Sequence, residues 1–148
     1  MRKFFIVIII MLISCDDNIN KELKEIGLKI LQQPEILLDL KNNFPEYYSD
    51  SLILDKMKDE YFLKDLINEI KEFNKYESNI EIFRVITNKG YLDIFKNSGY
   101  KYDLNADSTY NFTFDKISKN ICIYFMFIIK NNKYYLFYIK KDYINRQI

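Results

Sequence analysis

From residue 21 to residue 75 the apolar positions recur at three- and four-residue steps. From residue 80 onward they alternate or run together. The first regime predicts helices and the second predicts strands, because residues three or four apart share a helix face while successive strand residues point to opposite sides. Leu23, Ile26, Ile30 and Leu31 mark one helix, with Asn18 and Asn20 placed to cap it. Pro34 interrupts that helix, or sits at the first position of a second short one carrying Ile36, Leu37, Leu38 and Leu40. Asn42-Asn43-Phe44-Pro45 reads as a loop. Asp50 or Ser51 is placed to cap a longer segment in which Leu54, Met57 and Tyr61 share a face, and Leu63, Leu66, Ile67, Ile70 and Phe73 carry the pattern through Lys75. Aspartates and lysines fill the remaining positions, as a solvated helix face requires.

The strand half begins after Glu77-Ser78-Asn79. Ile80 and residues 82–87 are rich in β-formers, and Asn88-Lys89-Gly90 is a turn signal. Tyr91 to Lys96 reads as a further strand closed by Asn97-Ser98-Gly99, while Tyr100 to Leu104 reads either way. From Thr109 to Ile117 the alternation puts Tyr110, Phe112 and Phe114 on one side and Asn111, Thr113 and Asp115 on the other. Ser118-Lys119-Asn120 turns the chain. Ile121 to Ile129 and Tyr134 to Ile139 then flank Asn131-Asn132, a hairpin signal. Short connections imply an antiparallel sheet. The expected fold is α+β, with N-terminal helices packed on a curved antiparallel sheet of about four to five strands.

The first hairpin strand is apolar on both faces. Ile121, Ile123, Phe125, Phe127 and Ile129 point one way, and Cys122, Tyr124, Met126 and Ile128 the other. Both faces need cover, since an exposed strand of this kind is an aggregation hazard. A closed pocket, a second copy of the chain or a protein partner on the sheet face would each supply it. The corresponding expectation is that a polar residue at Tyr124 or Met126 weakens association and leaves the monomer folded. The element order over residues 19–142 resembles the cystatin-like and nuclear-transport-factor-2-like folds. The resemblance implies a helix held against a concave sheet with a pocket between, and dimerisation through the sheet's other face. Such folds host enzymes and non-catalytic modules alike.

Ahead of all these elements stands Met1-Arg2-Lys3 followed by the unbroken apolar run Phe4 to Ile13 and then Ser14-Cys15. A basic start, an apolar stretch and a small residue are the three parts of an export signal. Ten apolar residues are too few for a permanent span, which needs roughly 20. Leu12-Ile13-Ser14-Cys15 resembles the lipobox of bacterial lipoproteins. The resemblance implies acylation of the Cys15 thiol, cleavage between Ser14 and Cys15, and a bacterial cell-envelope location on a lipid tether. The organisation expected is a signal peptide over 1–14, a lipidated N-terminus and tether over 15–20, and one α+β domain over 21–148. Asp16 and Asp17 follow the cysteine, as in an inner-membrane retention signal or as a solvated linker start.

Charge narrows the partners. The whole chain has 22 basic and 21 acidic side chains, and losing Arg2 and Lys3 with the signal leaves 20 against 21. With no basic stripe, nucleic acid is not an expected partner. Lys130 to Lys141 is locally basic, read as edge lysines on a solvated hairpin in preference to an anion patch. Lys, Asn, Ile, Tyr and Phe abound and Ala106 is the sole alanine, a bias that matches A/T-rich codons. The 13 tyrosines and 12 phenylalanines are discounted accordingly.

Candidate chemistry is sparse. The chain has no histidine, which excludes Ser-His-Asp and Cys-His nucleophile systems and histidine-ligated zinc. It has no glycine-rich phosphate loop. Asp103-Leu-Asn105-Ala-Asp107 has the spacing that opens a calcium loop, but Ser108 stands where glycine is needed and Phe114 where a bidentate glutamate is needed. An Asn/Asp turn is the simpler reading. Cys122, inside an apolar run, reads as a small buried hydrophobe. Asn111-Phe112-Thr113 matches a glycosylation sequon by chance. No catalytic residue, metal or cofactor is expected. The function read from the sequence is a membrane-anchored, non-catalytic binding module. The alternatives are an inhibitor or immunity lipoprotein, and a pocket enzyme using a tyrosine and a carboxylate.

Overall fold

The computed structural model describes residues 21–76, 83–87 and 108–144. The chain divides into two compact units, Met1–Gln33 and Pro34–Ile148. In the first unit, residues 21–32 form helix α1, which buries Leu23, Ile26, Ile30 and Leu31, the four residues whose spacing marked it.

The second unit is α+β. It opens with a 3₁₀ segment, Pro34–Asp39, and one α-helical turn, α2 (Leu40–Asn43). The Asn42-Asn43 stretch expected as loop is therefore helical. Asp39 makes it so: its carboxylate accepts from the Asn42 backbone N–H at 3.4 Å and from Asn42 Nδ2 at 2.9 Å. Two more 3₁₀ segments follow, Pro45–Tyr47 and Asp55–Lys58.

The main helix, α3 (Glu60–Lys75), starts later than the apolar spacing predicts. Its cap is Asp59, whose Oδ1 accepts the Phe62 N–H at 2.9 Å, and not Asp50 or Ser51. Leu54 is extended, and its N–H donates across the unit to the Phe137 carbonyl at 3.0 Å. A long-range backbone bond thus overrides the local helical period. Tyr61 consequently leaves the Leu54–Met57 face and is 82% exposed. Leu63, Leu66, Ile67, Ile70 and Phe73 form the buried stripe as expected. Replacing Asp59 by alanine should lower unfolding free energy by about 1 kcal/mol, read as a shifted urea midpoint, since one orphan donor of the first turn is lost.

The sheet is antiparallel. Strands β1 (Phe83–Thr87), β2 (Ser108–Lys116), β3 (Ile121–Lys130) and β4 (Lys133–Tyr143) lie in chain order. β2 and β3 are joined through a 3₁₀ turn, Ile117–Lys119, closed by Asn120 in the left-handed region at φ 55°. Asn131 and Asn132, at φ 51° and 59°, make the two-residue turn between β3 and β4. Such turns need two positive φ values, and asparagine tolerates them better than other non-glycine residues. The sequence expectations for Tyr91–Lys96 and Tyr100–Leu104 lie outside the described residues.

The aromatic core sits on one face of β2 and β3. Phe112 stacks on Phe125 at 5.0 Å and on Phe127 at 5.8 Å, and Phe114 meets Phe125 edge-on at 5.7 Å. Helix α3 contacts β3 and β4. Near its start Phe62 stacks on Tyr138, with centroids 6.1 Å apart. Near its end the Lys116 ammonium lies 5.0 Å from the Phe73 ring centre and donates to the Tyr76 carbonyl. That bond caps the helix C-terminus with a cation, where the dipole favours one. Burial holds the Lys116 ammonium below the ordinary lysine range.

β3 and β4 shift register between Met126 and Phe127: Met126 faces Tyr138 while Phe127 faces Leu136. Phe137 is the extra residue of this bulge, and its carbonyl is the one that receives Leu54.

Candidate functional site

The first candidate is a surface cleft of about 330 Å³ within the second unit. Its floor is apolar: Leu37 from the first 3₁₀ segment, Leu40 from α2, Met57 from the last 3₁₀ segment and Leu63 from α3, all buried. Its rim carries Tyr48, Asp50 and Lys58. The Tyr48 hydroxyl donates to Asp50 Oδ1 at 2.6 Å. Lys58 Nζ donates to the Asp50 carbonyl at 2.7 Å and pairs with Asp55 at 3.4 Å. The bond to Asp50, joined by partial burial, pushes the Tyr48 hydroxyl up to about 12. Tyr48 therefore stays a hydrogen-bond donor throughout the physiological range. The floor residues are nearly fully buried, so the surface this open cleft offers is mainly its polar rim.

Residue spacing did not reveal this cleft. Its lining comes from short 3₁₀ segments that no period marks, and Asp50, read as a helix cap, belongs to the rim. A second groove of about 520 Å³ is lined by Asp55, Lys56, Asp59, Phe62 and Asp65. Among the described residues no group of three or more His, Cys, Asp or Glu is arranged to hold a metal ion.

The second candidate is a polar row on the sheet face opposite the aromatic core. Thr109, Asn111 and Asp115 are buried on β2, with Asp115 only 2% exposed. Asn111 Nδ2 donates to Thr109 Oγ1 at 3.1 Å, so the sequon asparagine is held inside the fold. By register Asp115 faces Cys122, which in turn faces Asp142. Asp115 Oδ1 is buried without a hydrogen-bond partner. At Asp142 partial burial pushes upward, but Lys140 at 2.6 Å and the Tyr143 N–H at 2.9 Å outweigh it and hold the carboxyl below its ordinary range. Burial, then the Asp115 and Asp142 carboxylates, push the Cys122 thiol up to about 11.

Cys122 is thus a protonated thiol in the sheet, unsuited to nucleophilic work at neutral pH. Alkylation by iodoacetamide at pH 8 should be roughly 100-fold slower in the native protein than in guanidinium, because thiolate and access are both scarce. The raised Cys122 and Tyr48 groups also fix a sign. At these two groups the unfolded chain ionises first, so their contribution to stability is complete below about pH 9 and falls as pH rises toward 11 and 12, while the lowered Lys116 works the other way as pH approaches the ordinary lysine value. Thermal melts at pH 7, 9 and 10.5 read this directly.

Met126 is 1% exposed and Ile128 is fully buried, so the second face of β3 is covered within the chain. Tyr124 is half-buried, with the Lys140 ammonium 5.8 Å from its ring centre. Of the residues singled out by sequence, Ser14, Cys15, Asp103, Asn105 and Asp107 lie outside the described residues. No described helix is long and apolar enough to cross a membrane. No protein-family model, no curated protein and no solved structure matches the chain.

Proposed function

We propose that the chain is a bacterial envelope lipoprotein whose folded part is a non-catalytic binding module, anchored through acyl chains on Cys15. One observation carries the reading: Arg2-Lys3, a ten-residue apolar run and Leu12-Ile13-Ser14-Cys15 stand in the order and spacing of a lipoprotein signal. The chemistry of the folded part supports the non-catalytic half. The chain has no histidine, and the Tyr48 hydroxyl and the Cys122 thiol both move away from neutrality, where a general acid, base or nucleophile would have to move toward it.

The cleft over Leu37, Leu40, Met57 and Leu63 is the ligand site in this reading, and its mixed rim suits a small amphiphilic group. A protein partner or a second copy docks through the sheet face near the C-terminal end of β4, where Tyr143 is 66% exposed; nearer the middle of the strand, the Phe137 carbonyl is taken by Leu54. A curved sheet of four to five strands, in the cystatin-like or nuclear-transport-factor-2-like manner, belongs to the same reading.

Intact mass of the protein from the membrane fraction tests the anchor. The expected mass lacks residues 1–14 and gains two or three acyl chains. A released, unacylated chain would sink the proposal.

A further inference from the structure

We infer that residues 44–58 are an edge guard: they cover the outer side of β4 and keep that strand from pairing with β4 of a second copy. The inference concerns the second unit alone and stands whether or not Cys15 is acylated.

The strand itself supplies the first argument. Among the described strands, β4 ends the order and pairs only with β3. Tyr134 to Ile139 are six consecutive apolar or aromatic residues. An uncovered edge of that kind is a template for another chain, and antiparallel pairing of a strand with its own copy closes about a two-fold axis.

The second argument is the bond at the bulge. The Leu54 N–H donates to the Phe137 carbonyl at 3.0 Å. Strand carbonyls lie close to the plane of the sheet, and β3 fills one side of β4, so this donor arrives from the outer side. Leu54 thereby takes the acceptor that a strand of a second copy would use. The 3₁₀ segments on either side of it, Pro45–Tyr47 and Asp55–Lys58, also contact β4. Leu52, Ile53 and Leu54 are all buried, which adds to the hold.

The third argument is that the guard is closed on itself. The Leu52 and Ile53 N–H groups both donate to the Ser49 carbonyl, and the Met57 N–H donates to the Leu54 carbonyl. Tyr48 donates to the Asp50 side chain and Lys58 to the Asp50 carbonyl. Among backbone bonds of the described residues, Leu54 to Phe137 is the one that joins this segment to β4. A segment bonded mainly within itself opens as a unit at less cost than global unfolding. Tyr48, Asp50, Met57 and Lys58 also line the cleft, so the guard cannot lift without opening the cleft.

The test compares Leu54→Pro with Leu54→Ala in the full chain, as isolated from cells in mild detergent. Both variants lose the leucine side chain, and only proline also loses the N–H. Leu54 has φ −62°, the angle that proline imposes. Native mass spectrometry at matched protein concentration reads the dimer fraction. Leu54→Pro should raise it at least about fivefold over Leu54→Ala, with the β4 amides in the dimer exchanging no faster than in the parent. A second variant, Tyr48→Phe with Lys58→Met, cuts two surface bonds that close the guard and should raise the dimer fraction over the parent. A Leu54→Pro protein that is folded by far-UV circular dichroism and as monomeric as Leu54→Ala would overturn the inference. Should the proline variant not fold, a folded double variant no more dimeric than the parent would overturn it. Dimers whose β4 amides exchange faster than in the parent would put the contact elsewhere and overturn it as well.

Discussion

Replacing Cys15 by alanine is expected to abolish the acyl mass and to shift the protein out of the tightly bound membrane fraction. The magnitude follows from hydrocarbon transfer. Two acyl chains bring about 30 methylenes, and at about 0.8 kcal/mol each their burial is worth on the order of 20 kcal/mol, an anchor that does not dissociate on a cellular timescale. The ten-residue run that remains in the variant is half the length of a span and cannot replace it. Fractionation with a carbonate wash, followed by intact mass, reads both effects. Acylation persisting at another site, or a variant held as firmly as the parent, would refute the assignment of Cys15.

Met126→Asp is expected to unfold the protein. The apolar second face of β3 invites the idea of an open docking surface, and on that idea a polar residue there would leave a folded monomer. The structure points the other way. Met126 is 1% exposed, and its register neighbours are Asn111 on β2, fully buried, and Tyr138 on β4. An ionised carboxylate placed there finds no cation opposite it in register. Such a substitution costs upward of about 4 kcal/mol, a large part of the ~5–15 kcal/mol that holds a domain together. Met126→Leu, which conserves volume, should cost less than about 1.5 kcal/mol. Far-UV circular dichroism with urea titration separates the two. A Met126→Asp protein that stays folded and loses only self-association would restore the docking reading for this face.

Much of the secondary structure was legible because its causes are local. The α1 and α3 stripes repeat at helical spacing, and the β3–β4 turn is written in two adjacent asparagines. Where causes are distant, legibility failed. Leu54 is extended because its N–H reaches Phe137, some 80 residues away, and the true α3 cap shifts to Asp59 as a result. The bulge at Phe137 left no trace in the sequence, since Leu136, Phe137, Tyr138 and Ile139 are all apolar or aromatic and no alternation exists to break. The β2 alternation was read correctly as two sides. It could not tell that the polar side, with Asn111 and Asp115, is as buried as the aromatic one. The proposed anchor rests on the sequence alone, on the spacing from Arg2-Lys3 to Cys15, and those residues lie outside the described ones. The cleft was not legible, because its residues are gathered by packing.

The placement of the aromatic core late in the chain bears on export. Phe112, Phe114, Phe125 and Phe127 are all contributed by β2 and β3, near the C-terminal end. A chain that crosses a membrane N-terminus first delivers the helical half long before these strands. The helices then have no aromatic face to close upon while the rest is still threading. In a chain exported as proposed above, the helices would meet this core only once the strands had emerged, and the tight Asn131-Asn132 hairpin, whose contacts are local, could zip within about microseconds of that point.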